Sequence, residues 1–134
     1  MPALPTDVLP IRSEADVVLV RQVARKWAAE LGFRLVDQTK IVTAASELAR
    51  NTLTHGRGGT VRLEAVAEGA RNGLRLTFED QGPGIPDVDL ALKDGYTTGN
   101  GLGLGLSGSK RLMSELKIVS RVGEGTRVTV TKWK

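Results

Sequence analysis

Apolar positions recur at helical spacing early in the chain, at Val20, Val23, Trp27 and Leu31. Ser13 reads as the N-cap of this helix, with Asp16 three residues later in a variant of the capping box, and Gly32 is its natural stop. Before it, residues 7–12 (DVLPIR) read as a short strand; Pro10 has no N–H to donate, which suits a sheet edge. A second helix is expected from near Asp37 to Thr54, with Ile41, Ala44, Ala45 and Leu48 on its apolar side and Gly56 ending it. Past the loop GRGGT the period changes to two. TVRLEAVAE puts Val61, Leu63 and Ala65 on one face, and LRLTFED does the same with Leu74, Leu76 and Phe78. Between them ARNG predicts a tight turn, because Asn-Gly is a strong hairpin signal. A short helical pattern around Asp89–Lys93 and a helix from about Leu104 to Leu116 follow. The chain then closes with a hairpin of KIVSRV, the turn GEG and TRVTVTKW.

Two helices followed by mainly antiparallel strands, with one helix inserted, predict an α+β fold. The expected form is a two-layer α/β sandwich whose mixed, mostly antiparallel sheet is covered on one face by helices. A length of 134 residues suits a single domain over residues 1–134. The absence of cysteine excludes disulfides and thiolate metal sites, and with His55 the only histidine any metal must be held by oxygen. No apolar run approaches a membrane span and MPALPTDVLP lacks signal-peptide character, so a cytoplasmic protein without membrane contact is expected. A net charge of +4 suggests an anionic partner. The basic residues are scattered, however, from Arg12, Arg21 and Arg25 to Arg71 and Arg121, with few aromatics among them, so direct nucleic-acid binding is not expected.

Residues 99–110, GNGLGLGLSGSK, hold five glycines in twelve positions. Glycine costs about 1 kcal/mol within a helix, so this stretch points to a backbone task such as phosphate binding. Gly103, Gly105 and Gly108 spell G-x-G-x-x-G, but late in the chain and outside a βαβ unit, and Glu124 lies in a turn where that motif needs an acid at a strand end. Gly103 to Lys110 nearly spells a P-loop, but serine and lysine are exchanged.

Two further patches join it. Glu47 and Asn51 are four residues apart, so both project from one face of the second helix. A solvated polar stripe would look the same, but a carboxylate and a hard amide oxygen aimed into one cleft would suit Mg²⁺ and phosphate. Asp80-Gln81-Gly82-Pro83-Gly84 follows a strand; it is either a turn or a surface where a flat ligand lies on bare backbone while Asp80 accepts from an amine. In order and setting, the three patches resemble the ATP site of the Bergerat-fold (GHKL) superfamily, which includes gyrases, histidine kinases and MutL. Glu47 and Asn51 match its E-x-x-x-N box, Asp80, Gly82 and Gly84 its D-x-G-x-G box, and Gly101, Gly103 and Gly105 its glycine-rich lid. DGYTTGNGLGLGLSGSKRLMSEL and the ending GEGTRVTVTKW are similar to the RsbT-type anti-sigma regulatory serine/threonine kinases. Ser107 departs from that pattern, where proline is expected.

The resemblance implies an ATP- and Mg-dependent protein serine/threonine kinase. Its substrates would be STAS-domain scaffold or antagonist proteins of a stress-signalling complex (the stressosome), and it would be released to activate a PP2C-type phosphatase. It implies Glu47 as the catalytic group acting on the acceptor hydroxyl, Asn51 as the Mg²⁺ ligand, and Asp80 as the acceptor for the adenine amine, with Thr126 beside it. Gly82, Gly84, Gly99, Gly101, Leu102, Gly103, Leu104 and Gly105 would complete the ATP site. Arg50, Lys110 and Arg111 are candidate phosphate partners, and His55 is expected to be a helix-end residue. Two alternatives stand beside this one: a direct anti-sigma factor that binds a sigma subunit and phosphorylates its antagonist, and an adapter that holds ATP without turnover. Ordering a segment costs about 1–2 kcal/mol per residue, which three phosphates and a metal can offset and a bare nucleoside cannot. Hydrogen exchange over residues 94–105 is therefore expected to slow with ATP and Mg²⁺ but not with adenosine. Equal protection with and without ATP would reduce the glycines to a static turn.

Overall fold

A computed structural model describes residues 6–92 and 106–134. The strands are β1 (Thr6–Ile11), β2 (Gly59–Glu68), β3 (Arg71–Asp80), β4 (Glu115–Arg121) and β5 (Gly125–Trp133). The helices are α1 (Glu14–Glu30), α2 (Leu35–Thr54), α3 (Val88–Ala91) and α4 (Leu106–Leu112). The strands form one sheet in the order β1-β2-β3-β5-β4. Each pairing within it is antiparallel. Pro10 thus lies on an edge strand, as its missing donor requires.

The alternation along the strands separates two faces. Val61, Leu63, Leu74, Leu76, Phe78 and Val130 are buried beneath the helices. Val17, Val20 and Ala24 of α1 and Ile41, Ala44 and Leu48 of α2 close over them. Each large side chain buried this way contributes about 1.5–3 kcal/mol. The other face carries Arg62, Glu64, Arg75, Glu79, Lys117 and Arg127 around an open concavity. Its Arg127–Glu79 pair, at 3.3 Å, is half exposed and adds little to stability.

The helix ends follow from local chemistry. Ser13 Oγ accepts from the Asp16 N–H at 3.2 Å, and Asp16 returns a bond to the Arg12 N–H at 2.8 Å, one residue before the cap. Gly32 takes φ +82° just past α1, where a side chain would be strained. Trp27 Nε1 donates to Asp7 at 2.7 Å and ties α1 to the edge strand. Lys132 Nζ donates to the Leu112 carbonyl at 2.8 Å, satisfying the C-terminal end of α4 from the sheet below.

Two sequence expectations change. The turn between β2 and β3 is Gly69-Ala70; Asn72 and Gly73 lie inside β3, where Gly73 pairs with Val66 and Trp133. Gly69 supplies the positive φ (59°) that the turn needs. Gly73 is needed for another reason: a Cβ there would lie 2.5 Å from the Lys132 carbonyl oxygen and 2.8 Å from the Trp133 ring. The last helix ends at Leu112, short of the expected Leu116, because the Ser114 N–H already donates to the Thr131 carbonyl at 2.9 Å and the chain enters the sheet. Ala at the open Gly69 position is expected to cost about 1–2 kcal/mol in unfolding free energy, the penalty of left-handed backbone. Gly73→Ala is expected to cost more, because main-chain atoms of β5 must move. Urea unfolding of both variants checks this; the reverse order would return the turn to Asn72-Gly73.

Candidate functional site

Asp80 is the last residue of β3, and its register puts Gly59 of β2 on one side and Thr126 of β5 on the other. Above this end of the sheet runs the last turn of α2. Asn51, His55, Asp80, Ile85, Leu106 and Thr126 meet around a narrow cavity of about 20 Å³, closed below by Phe78 and Val128. Its polar side chains are Asn51, Thr52 and His55 from the end of α2, Asp80 from β3 and Thr126 from β5. Its walls are otherwise largely apolar. Apolar walls with a few convergent polar groups are the composition, though at this volume not the size, of a small-molecule pocket.

Packing around Asp80 is tight. A Cβ at Gly56 would overlap the Asp80 carboxyl group, and one at Gly125 would overlap its carbonyl oxygen. A Cβ at Gly82 would lie 2.7 Å from the Gly56 carbonyl oxygen. At Gly84 (φ +78°) a Cβ would overlap the Arg121 carbonyl. The glycines at 82 and 84 thus admit the protein's own backbone, which accounts for them without a ligand. Asp80 Oδ1 accepts from the Gly82 N–H at 2.9 Å, which folds the turn back onto the carboxylate.

Thr126 is buried, and its Oγ1 lies 2.8 Å from Ser120 Oγ on β4. The Ile85 N–H donates to the same serine at 2.7 Å. His55, the C-cap of α2, has Nε2 at 3.2 Å from the Gly84 carbonyl and lines the cavity. Sequence reasoning treated His55 as a helix end, Gly56 as a stop signal and Gly125 as part of a turn, and did not single out Ser120 or Ile85. The one local cue was the adjacency of His55 and Gly56 to the E-x-x-x-N box; the contacts themselves cross between distant segments.

Of the expected site residues, Asn51, Asp80 and Thr126 come together. Glu47 lies one turn before Asn51 on α2 but is exposed and outside the cavity. Arg50 pairs with Glu14 of α1 at 3.3 Å. Lys110 and Arg111 are exposed in the last turn of α4, whereas Leu106 of its first turn lines the cavity. Gly99, Gly101, Leu102, Gly103, Leu104 and Gly105 lie outside the described residues.

A carboxylate and a hydroxyl thus lie side by side at a sheet end, facing a helix-borne amide, in a two-layer α+β domain. Residues 36–134 match the family of histidine kinase-, DNA gyrase B- and HSP90-like ATPases, and the chain belongs to that ATP-binding family, within it to the RsbT-type serine/threonine kinases. It is 49% identical over 123 residues to the serine/threonine-protein kinase RsbT of Bacillus subtilis, covering 92% of each chain. It is 31% identical to an anti-sigma F factor of Thermoanaerobacter, covering 84% of this chain and 82% of that one. The structure containing the RsbU and RsbW domains of a Mycobacterium tuberculosis protein aligns over 96% of this chain with a TM-score of 0.65 and 25% identity; the chain spans 31% of that longer one. Among the described residues no helix is long and apolar enough to cross a membrane.

Asp80→Asn is expected to weaken ATP binding about 10- to 150-fold with the fold intact, the loss of a hydrogen bond to a charged acceptor. Gly56→Ala is expected to weaken it as well, because the new methyl displaces the carboxylate without removing it. Nucleotide titration with parallel thermal melts checks both; unchanged affinity in Asp80→Asn would remove Asp80 from the base pocket.

Proposed function

We propose that the chain transfers the γ-phosphoryl group of ATP to a serine or threonine of a STAS-domain protein, and that its release from this partner switches on a PP2C-type phosphatase. The observation that carries the ATP part is the pairing of Asp80 with Thr126 across from Asn51 around one apolar-walled cavity. The protein partners come from kinship with RsbT. Asp80 accepts from the exocyclic amine of adenine. Asn51, half-buried at the cavity, offers a hard amide oxygen, and Mg²⁺ takes few protein ligands and fills its shell with phosphate and water. Held there by Asn51, Mg²⁺ would offset the charge of the phosphates.

Glu47 supplies the general base. It takes the proton of the acceptor hydroxyl as that oxygen forms its bond to the γ-phosphorus, and the bond from that phosphorus to the β,γ-bridging oxygen breaks to leave ADP. Glu47 and Asn51 share one face of α2, one turn apart, and the exposure of Glu47 beside the half-buried Asn51 at the cavity supports this division. The direct anti-sigma reading is favoured by the relatives named anti-sigma F factor. A sigma-subunit pull-down separates it from the first reading.

Incubation with ATP, Mg²⁺ and candidate STAS proteins, followed by phosphosite mapping, tests the proposal; no transfer to any STAS partner would overturn it. Glu47→Ala is expected to lower phosphotransfer by about 100-fold or more with nucleotide affinity nearly kept, in line with the worth of general-base catalysis. Asn51→Ala is expected to weaken Mg²⁺-dependent nucleotide binding as well. Equal effects on binding and turnover in both variants would contradict the assigned roles.

A further inference from the structure

We propose that Arg12 and Arg57 form a docking site for an acidic segment of a protein partner, outside the cavity that Asn51 and Thr126 line. The two arginines border an open concavity of about 440 Å³ whose other side chains are Thr60, Glu79, Asp80 and Gln81. It lies where β1 runs into α1 and where the chain passes from α2 to β2.

The backbone at Arg57 carries the argument. Its φ is +63°, and among the described residues no other non-glycine residue has a positive φ. A Cβ is disfavoured in left-handed backbone, which glycine and asparagine adopt readily. The neighbours impose this conformation. The Gly56 N–H donates to the Asn51 carbonyl at 3.0 Å and the Gly58 N–H to the Thr52 carbonyl at 2.8 Å. A Cβ at Gly56 would overlap the Asp80 carboxyl group, and one at Gly58 would lie 3.1 Å from the Ile11 carbonyl oxygen. Residue 57 is therefore held between two pinned glycines, with its side chain exposed. A glycine there would serve the loop without strain; an arginine adds only its guanidinium. Strain that the surroundings impose on such a residue points to a use for its side chain.

Charge says what that use is. Among the described residues neither guanidinium has a hydrogen bond or an ion pair. The acids at the same concavity are engaged elsewhere: Glu79 pairs with Arg127 at 3.3 Å, and Asp80 accepts from the Gly82 N–H at 2.9 Å. Glu14 and Asp16 follow Arg12 in sequence, but Glu14 pairs with Arg50 and Asp16 accepts from the Arg12 main chain. The charge left uncommitted is cationic. Guanidinium forks match carboxylates in bidentate geometry, and Thr60 and Gln81 add neutral donors. Nucleic acid fits less well, because no aromatic ring lines the concavity to stack a base, and Glu79 and Asp80 would repel successive phosphates. A second copy fits less well too, since each copy carries a net charge of +4.

The test titrates the full chain with a fluorescent polyglutamate peptide and, separately, with a single-stranded DNA oligonucleotide. Arg57→Asn keeps a residue suited to left-handed backbone and removes the charge; Arg12→Gln removes the other charge. Each is expected to weaken peptide binding about two- to fivefold, the worth of an exposed ion pair, and to flatten its salt dependence. Arg25→Gln, at an exposed position of α1, makes the same charge change elsewhere and is expected to leave the peptide unaffected. Thermal melts supply a second readout. Arg57→Asn is expected to melt at or above the wild type while binding falls, whereas a residue kept for the loop's own packing would lose both together. No binding of the peptide to the wild type, or unchanged affinity in both site variants, would leave the arginines as solvated charges. Equal weakening in Arg25→Gln would reduce the interaction to net charge. DNA binding weakened as much as peptide binding would make the site one for nucleic acid, and a dimer that the site variants dissociate would make a second copy the occupant. Each of these results overturns the proposal.

Discussion

A carboxylate must be held at the end of a sheet, against an apolar recess, without having its acceptor capacity used up by the protein. Removing a charge from water is costly unless hydrogen bonds replace the lost hydration. Asp80 receives the Gly82 N–H on Oδ1, and an ionised carboxylate has about four acceptor positions. A bond from one backbone amide fixes the side chain and leaves acceptor capacity, which on the proposed reading a ligand's amine uses. The surroundings achieve this by omission. Gly56 and Gly125 lack the atoms that would push the carboxylate or its backbone aside, and Gly82 lacks one that would push Gly56 away, so that three separate chain segments close around one side chain.

That constraint explains much of the architecture. The order β1-β2-β3-β5-β4 places the end of β3 at the sheet's centre, with β5 beside it. Thr126 thereby arrives next to Asp80 by register, and Ser120 arrives next to Thr126 by the register of the following pair. Helices on one face leave α2 to bring Asn51 and His55 over the strand ends. The opposite face, lined with charges of both signs, has no helix over it among the described residues and is polar, as an uncovered antiparallel sheet is.

The elements were legible because their periods were clean. Leu74, Leu76 and Phe78 alternate without interruption, and α2 repeats its apolar positions over twenty residues. The hairpin turn was misplaced because Asn-Gly is a strong local signal that tertiary packing overrode. Gly73 serves a close approach of β5, and the less conspicuous Gly69 makes the turn. The recognition motifs led to Asn51, Asp80 and Thr126 because their spacing is local. The support around them was not legible in the same way. Gly56 and Gly125 act on Asp80, and Ser120 on Ile85, across gaps in sequence that no period or dipeptide encodes. For Gly82 and Gly84 the sequence suggested no room for side chains, and the close approach of Gly56 and Arg121 backbone is why.

The positions of Glu47 and Asn51 bear on what kind of enzyme this is. Four residues of helix separate them, yet one is exposed and the other lines the cavity. A base that acted on water could sit in a sealed recess. If Glu47 is the base, as proposed, its exposure on a helix surface suits an acceptor that arrives on another macromolecule, because a serine on a protein loop can reach it there. Charges at an exposed site interact weakly while water surrounds them. On the proposed reading, the docking partner itself removes that water and strengthens the interaction of Glu47 with the acceptor hydroxyl as the complex forms. The nucleotide half of the site would then be carried by this chain, and the dry environment for transfer would be completed by the protein that accepts the phosphoryl group.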